Sequence, residues 1–381
     1  ANANESPNPT ADTITLGADI DLTTLTINTL PQISTEIALE GAGYVVDGGD
    51  IVQLFDVASG GDFTVNQATL QNGAATDGGA IINSGALTVT NSTFFSNIAT
   101  DAGGAIANTD VATLTAANST FANNIAGVAG SIINAGTATV THSTFSDNLA
   151  GSIGGGIANL GTLNLAGTIF ATGISGDNCV NWGTLNDNGY NLSDDSTCTN
   201  GGTGSATNAL LNLGVLADNG GPTQTHLPGT GSDAKDAIPN GTTISNNGTS
   251  WTCNRSFTDQ RGFLRPLKSG NACTAGATEA GIPYTVGGSV SGLAAGNSVT
   301  LYNNGGDPLT ISDNTSFTFS DYVLEGETYN VTVFAQPTEP NQYCAVSNGS
   351  GTVINTDITN VMVSCENQDD VIFKDGFEVR E

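Results

Sequence analysis

The sequence predicts an all-β chain: a parallel β-helix (β-solenoid) followed by an Ig-like β-sandwich. Two observations carry the first part. A pattern of Gly-Gly-Ala-Ile-x-Asn, a short turn, alternating Thr/Val/Leu, then Asn-Ser-Thr-Phe and an Asn-rich corner returns four times, beginning near Gly78, Gly103, Ala129 and Gly154. A period of this size marks a solenoid or array. Its content is strand-like, as at residues 87–90 and 137–140, with no apolar series at helical spacing. Gly and Asn sit at corners, where positive φ is tolerated. The third observation is a series of six or seven short strand runs within residues 284–366, separated by Gly and Asn turns. It predicts an antiparallel sandwich.

Composition fits such a chain. With 50 Gly, one Met and 11% charged residues, a thick globular core is hard to build. A solenoid needs only a narrow stack of small and β-branched side chains, each coil burying the next. The charge is extreme, with 36 acids, 7 bases and a net charge of −29, and residues 1–234 contain no Lys or Arg. Nucleic acid is excluded as a partner, because phosphate neutralisation needs basic side chains. Anionic membranes are excluded for the same reason. The acidity serves solubility and self-repulsion; its sharper reading is calcium held by clustered Asp and Asn oxygens. The calcium candidates are Asp47 and Asp50, in Asp-Gly-Gly-Asp. No other cofactor is expected.

Six cysteines stand at Cys179, Cys198, Cys253, Cys273, Cys344 and Cys365, without a Cys-x-x-Cys. Neighbours lie 19, 20 and 21 residues apart. Three local disulfides in an oxidising compartment fit this spacing, although six cysteines allow fifteen connectivities. No apolar run approaches the length of a membrane-spanning helix. A removed secretory signal before Ala1 is the expectation.

Taken in order, residues 1–11 form a polar, Pro-containing tail. Residues 12–73 read as irregular opening coils, with strand runs at 13–16, 25–27, 37–39 and 44–47. The regular coils follow to residue 170. Asn83, Asn108, Asn134 and Asn159 should form one ladder, with rungs about 4.8 Å apart. Phe94, Phe121 and Phe145 should form a second, with Ile169 in the fourth copy. Stacked amides bond along the axis and stacked aromatics fill the core, so both columns read as structural. The sequons at Asn91 and Asn118 read as glycan acceptors in a suitable host or, equally, as chance in so Asn- and Thr-rich a chain.

Residues 171–283 lose the period and read as an irregular closing part with two disulfide loops. They contain Leu-Ala-Asp-Asn-Gly-Gly-Pro-Thr-Gln-Thr-His at 216–226 and Asp-Gln-Arg-Gly-Phe-Leu-Arg-Pro at 259–266. With the Gly-Gly-Ala-Ile and Asn-Ser-Thr-Phe repeat, these motifs resemble the bacterial secreted choice-of-anchor Q domain proteins, whose coils are similar to those of polymorphic outer-membrane proteins. The resemblance covers residues 12–280. It implies a right-handed parallel β-helix exported to the surface of a Gram-negative bacterium, and carries no catalytic residues to transfer. It departs at residues 231–238, Gly-Ser-Asp-Ala-Lys-Asp-Ala-Ile, where family members often read Ser-Pro-Ala-Ile-Asp-Ala-Gly.

Asp259, Gln260, Arg261 and Arg265 form the densest polar cluster. Because Arg is so scarce elsewhere, they are expected as a buried pair bonding carboxylates and carbonyls at the closing coils; the functional alternative is a sugar site. Residues 284–366 are the sandwich, with Cys344 and Cys365 stapling its last strands. Residues 367–381 are a tail whose apolar run, Val371, Ile372 and Phe373, has the size of a strand able to complete a neighbour's sheet.

Enzymatic chemistry finds little support. A polysaccharide lyase needs calcium-binding carboxylates and a basic side chain to take a proton, and the coils offer no Lys or Arg before residue 235. A hydrolase needs two carboxylates about 5–9.5 Å apart in one cleft. Asp19/Asp21 and Asp47/Asp50 sit in the opening coils, while Asp77, Asp101, Asp110 and Asp147 share no column. The expected function is therefore a non-enzymatic, secreted structural or surface protein. Its foremost form is a self-assembling filament or matrix subunit with contacts through its tails. A monomeric surface adhesin binding extracellular glycans or cells is the alternative, and a polysaccharide-cleaving β-helix enzyme the second.

Overall fold

The computed structural model describes residues 12–24, 30–171, 173 and 177–368. The tail 1–11, the run 25–27 and the residues Val371, Ile372 and Phe373 lie outside them. Among the described residues there are strands and no helical element, hence no helix able to cross a membrane. The chain forms two compact units. One runs to Pro266 and includes Gly270–Ala280; the other comprises Leu267–Ser269 and the chain from Gly281.

The first unit is a parallel β-solenoid with four ladders. Sheet 1 has eight strands, from Asp12–Thr15 through Ala86–Thr90 and Thr113–Ala117 to Thr184–Asp187. Sheet 2 also has eight, from Ile20–Asp21 through Thr93–Phe95 and Thr120–Ala122 to Leu192–Ser193. Sheet 3 has four, Ala74–Asp77 to Leu149–Ala150, and sheet 4 has six, Phe55–Val57 to Cys179–Asn181. Eight rungs correspond to about seven turns. The ladders run on past residue 170, since Ile157 pairs with Cys179, Leu163 with Leu185 and Ile169 with Leu192.

Alternation decides which side chains enter the core. Sheet 1 turns Phe63/Val65, Leu87/Val89, Leu114/Ala116 and Leu163/Leu165 inward, all buried, while Thr64, Thr88 and Thr115 face outward. The corner between sheets 3 and 4 needs glycine for two reasons. Gly78, Gly103 and Gly154 have φ of 61°, 68° and 70°, with Ala129 taking the same corner at 54°. The next glycine meets its neighbouring coil: a Cβ on Gly104 would strike the carbonyl oxygens of Gly130 and Ile125.

The expected aromatic column exists, with one correction. Phe94, Phe121 and Phe145 are fully buried and stacked, with centroids 5.0 and 4.7 Å apart. The fourth ring is Phe170, paired with Phe145 and stacked on it at 4.9 Å. Ile169 pairs instead with Thr144 and packs with Leu192, Leu211 and Ala275. Pleating puts neighbours on opposite faces, so a one-residue shift changes the face.

Beyond Ser193 the chain turns back along the solenoid flank. Residues 209–280 have little regular structure beyond the hairpin Thr243–Asn246/Thr249–Thr252. Those of the first unit, 209–266 and 270–280, lie on the outer faces of sheets 1 and 2 as a strap. Asn246 Nδ2 donates to Thr141 Oγ1 at 2.8 Å, Thr93 Oγ1 donates to the Gln224 carbonyl at 2.7 Å, and the Ala277 amide donates to Thr144 Oγ1 at 3.0 Å.

The second unit is a β-sandwich. One sheet orders Ser316–Thr318, Val286–Ser291, Ile358–Asn367 and Gln342–Ser347; the other orders Gly306–Ile311, Val299–Asn303, Thr328–Ala335 and Ser350–Thr352. Both contribute to one core that includes Val290, Leu301, Val331, Val361 and Val363. The sheets are not wholly antiparallel, because Val286–Ser291 runs parallel to the long last strand. Cys344 and Cys365 face each other across an antiparallel pair and are bonded.

Candidate functional site

The asparagine column is a continuous amide ladder inside the corner between sheets 4 and 1. Asn83 Nδ2 donates to Asn108 Oδ1, Asn108 to Asn134 and Asn134 to Asn159, each at 2.7 Å. The ladder goes one rung further than the repeat suggests, with Asn159 donating to Asn181 at 2.6 Å. A second ladder, Asn97, Asn124 and Asn148, lines the corner between sheets 2 and 3, with amide bonds of 2.9 Å. These residues are buried and also donate to the carbonyls of Leu70, Phe94 and Phe121. Their 27- and 24-residue spacing, the same as that of the Phe column, was the signal available in the sequence.

Asp259, Gln260, Arg261 and Arg265 are brought together, but not at the closing coils. They sit in the strap, against the middle of sheet 2. Gln260 Oε1 accepts from Thr120 Oγ1 at 2.7 Å, and its Nε2 donates to Thr93 Oγ1 at 3.0 Å and Thr223 Oγ1 at 2.8 Å. The outward Thr column of sheet 2 supplies hydroxyls that need partners once covered, and this glutamine serves two adjacent rungs. Asp259 accepts from the Arg261, Phe263 and Glu279 amides and pairs with the Arg261 guanidinium at 2.7 Å, both side chains fully buried. Arg261 also donates to the carbonyls of Asn219 and Glu279. Arg265 donates to the carbonyls of Thr274 and Gly276 and meets Glu279 Oε1 at 3.4 Å. Burial pushes the Glu279 carboxyl up to about 7, against the pull of Arg265. With its carboxylates and guanidinium groups buried, and all but the Arg265 Nε bonded, this cluster ties strap to solenoid.

The calcium candidates behave as corner residues. Asp47 accepts from Gln71 at 2.7 Å, from Asn72 at 3.0 and 3.1 Å and from the Gly49 amide at 2.9 Å. Burial works to raise its carboxyl, yet these bonds hold it below the usual value. Asp50 turns the adjoining corner with φ of 60°. N–H donors from Gln71, Asn72 and Gly49 satisfy Asp47, and the Asp21 carboxylate on the adjacent rung is near enough to interact with it. No group of three His, Cys, Asp or Glu able to hold a metal occurs among the described residues. Asp19 likewise accepts from the Val45 amide, and Asp21 from that of Thr23.

The three disulfides join Cys179 to Cys198, Cys253 to Cys273 and Cys344 to Cys365. Such bonds persist in an oxidising environment. The first ties a loop over the C-terminal end of the solenoid core. Two carboxylates that sequence reading passed over organise this loop. Asp187 accepts from Ser205, Asn191 and the Gly189, Asn200 and Gly202 amides; Asp195 accepts from Ser193, Thr197 and the Asn178 amide. Burial works to raise both, but the donors hold both below the usual carboxylate value.

Two open clefts stand out among the described residues. The first, about 440 Å³, lies at the end of the solenoid, between the last rung (Val180, Asn181, Leu185) and the loop residues Thr197, Thr199 and Asn200. Trp182, between two lining residues in sequence, is 57% exposed, and Leu160, one rung earlier, 52%. The second, about 370 Å³, has Asp147 and Asp194 on the solenoid wall and residues 209–215 opposite. Asp147 accepts from Ser146 Oγ, and Asp194 from Asn178 Nδ2. His226, bonded through Nδ1 to the Gly214 carbonyl, is kept below its ordinary value by burial, opposed by that bond and by Asp147.

Comparison with known protein families, curated proteins and solved structures gives no match.

Proposed function

We propose that the protein is a non-enzymatic, extracellular structural subunit that assembles with copies of itself through its terminal tails. The carrying observation is the last solenoid rung. Sheets 1 and 4 end at Thr184–Asp187 and Cys179–Asn181, and an open cleft stands on the far side of that rung. Capping of both ends is what keeps a solenoid monomeric; here the stapled loop leaves one corner open. Three disulfides support the extracellular setting. The test is electron microscopy of the purified chain at micromolar concentration in physiological salt. Regular fibres support the reading, and isolated rods reject it in favour of a monomeric adhesin.

A second reading, a flank that binds or cleaves polysaccharide, is favoured by one observation. Asp147 and Asp194 line a single cleft and stand two rungs apart, about 10 Å by strand spacing, close to the separation used by inverting glycosidases. Release of reducing ends from polysaccharides by the wild type, lost in Asp147→Asn and Asp194→Asn, would establish it; no release removes catalysis, and no retention on glycan arrays removes binding.

A further inference from the structure

The open rung has a shape that says what should fill it. In sheet 1 each complete rung places an apolar pair, two residues apart, into the core: Ile37/Leu39, Phe63/Val65, Leu87/Val89, Leu163/Leu165. The last rung has only half of this pair, because Leu185 is followed two residues on by Asp187, which is turned to the loop amides. Leu163 and Leu185 therefore face the cleft, together with the Cys179–Cys198 disulfide. The asparagine ladder stops here too. Every earlier Asn gives its Nδ2 to the next Asn, whereas Asn181 keeps only the bond to the carbonyl two residues on, Gly183 at 3.2 Å, which Asn134 and Asn159 make as well. What is missing is one extended segment carrying an apolar-x-apolar pair.

The geometry points to residues 371–373 of a second copy as that segment, added as a further strand beside Thr184–Asp187. Val371-Ile372-Phe373 has the required alternation: Val371 and Phe373 would enter the cleft and Ile372 would face out. The length suits a rung strand, three to five residues in this solenoid's sheets 1 and 4. Lys374, one of only seven basic residues, follows directly, while the receiving part of the chain has no Lys or Arg before residue 235. Adding a strand to a sheet edge supplies main-chain bonds for affinity and pockets for alternate side chains for specificity. The interface is heterologous, so repetition yields a fibre rather than a closed pair. This assignment rests on the assembly reading and goes further by naming donor and acceptor.

The test places a photo-crosslinking benzoylphenylalanine at position 373 of the full chain, irradiates at micromolar concentration and maps the products by mass spectrometry. Chain–chain products joined at Leu163, Leu185 or residues 197–200 are expected, and adding a free peptide of residues 367–377 should suppress them. The same peptide with Phe373→Asp should not suppress them, a control that leaves the folded chain untouched. Fibres with crosslinks at other surfaces overturn the cleft assignment while leaving self-assembly standing. Crosslinks to the cleft within one chain overturn the second copy as donor. Absence of both fibres and chain–chain products overturns this inference and the assembly reading together.

Discussion

A double-mutant cycle on the aromatic column tests the register of the solenoid directly. Phe145 and Phe170 stack with centroids 4.9 Å apart and an interplanar angle of 16°. Such a pair contributes about 0.5–1.5 kcal/mol beyond its area burial. Ile169 is equally buried, but it sits on the opposite face of the strand, among Leu192 and Leu211. Replacing Phe145 and Phe170 by Leu, singly and together, should give single costs of roughly 1–3 kcal/mol, below the ~3–5 kcal/mol of truncating Phe to Ala. The coupling energy should fall between about 0.5 and 1.5 kcal/mol. Pairing Phe145→Leu with Ile169→Val should give costs additive to within about 0.5 kcal/mol. The assay is urea unfolding followed by far-ultraviolet circular dichroism, with slopes compared across variants to check that the same surface is exposed. Coupling as large for Ile169 as for Phe170 would refute the register.

Four further outcomes are expected. Asn108→Ala, in the middle of the amide ladder, should cost roughly 2–4 kcal/mol, because it removes two side-chain bonds and strands buried partners, whereas Asn181→Ala at the ladder's end should cost about 1 kcal/mol; thermal or urea unfolding compares them. Arg261→Met should destabilise by roughly 3–5 kcal/mol through the uncompensated Asp259 charge, and limited proteolysis should show cleavage of the strap before the coils. Glu279, at about 7 in the folded state against 4.5 as its ordinary value, takes up a proton on folding between those values. Its contribution is complete below pH 4.5 and is lost as pH rises through 7, about 3 kcal/mol in all. The stability difference between Glu279→Gln and wild type should therefore move in favour of the variant from pH 4.5 to 7.5, and a flat difference contradicts the burial argument. His142 is buried with neither ring nitrogen bonded, and burial, then Arg265, holds it well below its ordinary value. Its contribution is present above pH 6.5 and lost as pH falls, so His142→Leu should match or exceed wild-type stability at pH 7.5 and gain on it toward pH 5.

The period alone determined much of this molecule. Each coil meets only its neighbours, so a residue's partner lies one repeat away, and a column read from the sequence is a column in space. That is why Asn83, Asn108, Asn134 and Asn159, and the three leading Phe residues, were legible. Phe170 was legible too, because it follows Asn159 by the same eleven residues that separate Phe94 from Asn83 and Phe145 from Asn134; only the pleat made a one-residue slip matter. The strap was not legible. Gln260 bonds Thr120 and Thr93 across 140 and 167 residues, and no repeated partner marks such a contact. Its four polar residues announced burial, since scarce Arg beside Asp must be paired once buried, but not the place of burial. The same holds at the solenoid's end. The sequence supplied Cys179, Cys198 and the tail, while only the folded chain showed that Asp187 is spent on the loop and that the last rung stands open beside Leu185. Local repetition encodes what stacks on what. What lies across the stack, and what is left uncovered, follows from packing between residues far apart in the chain.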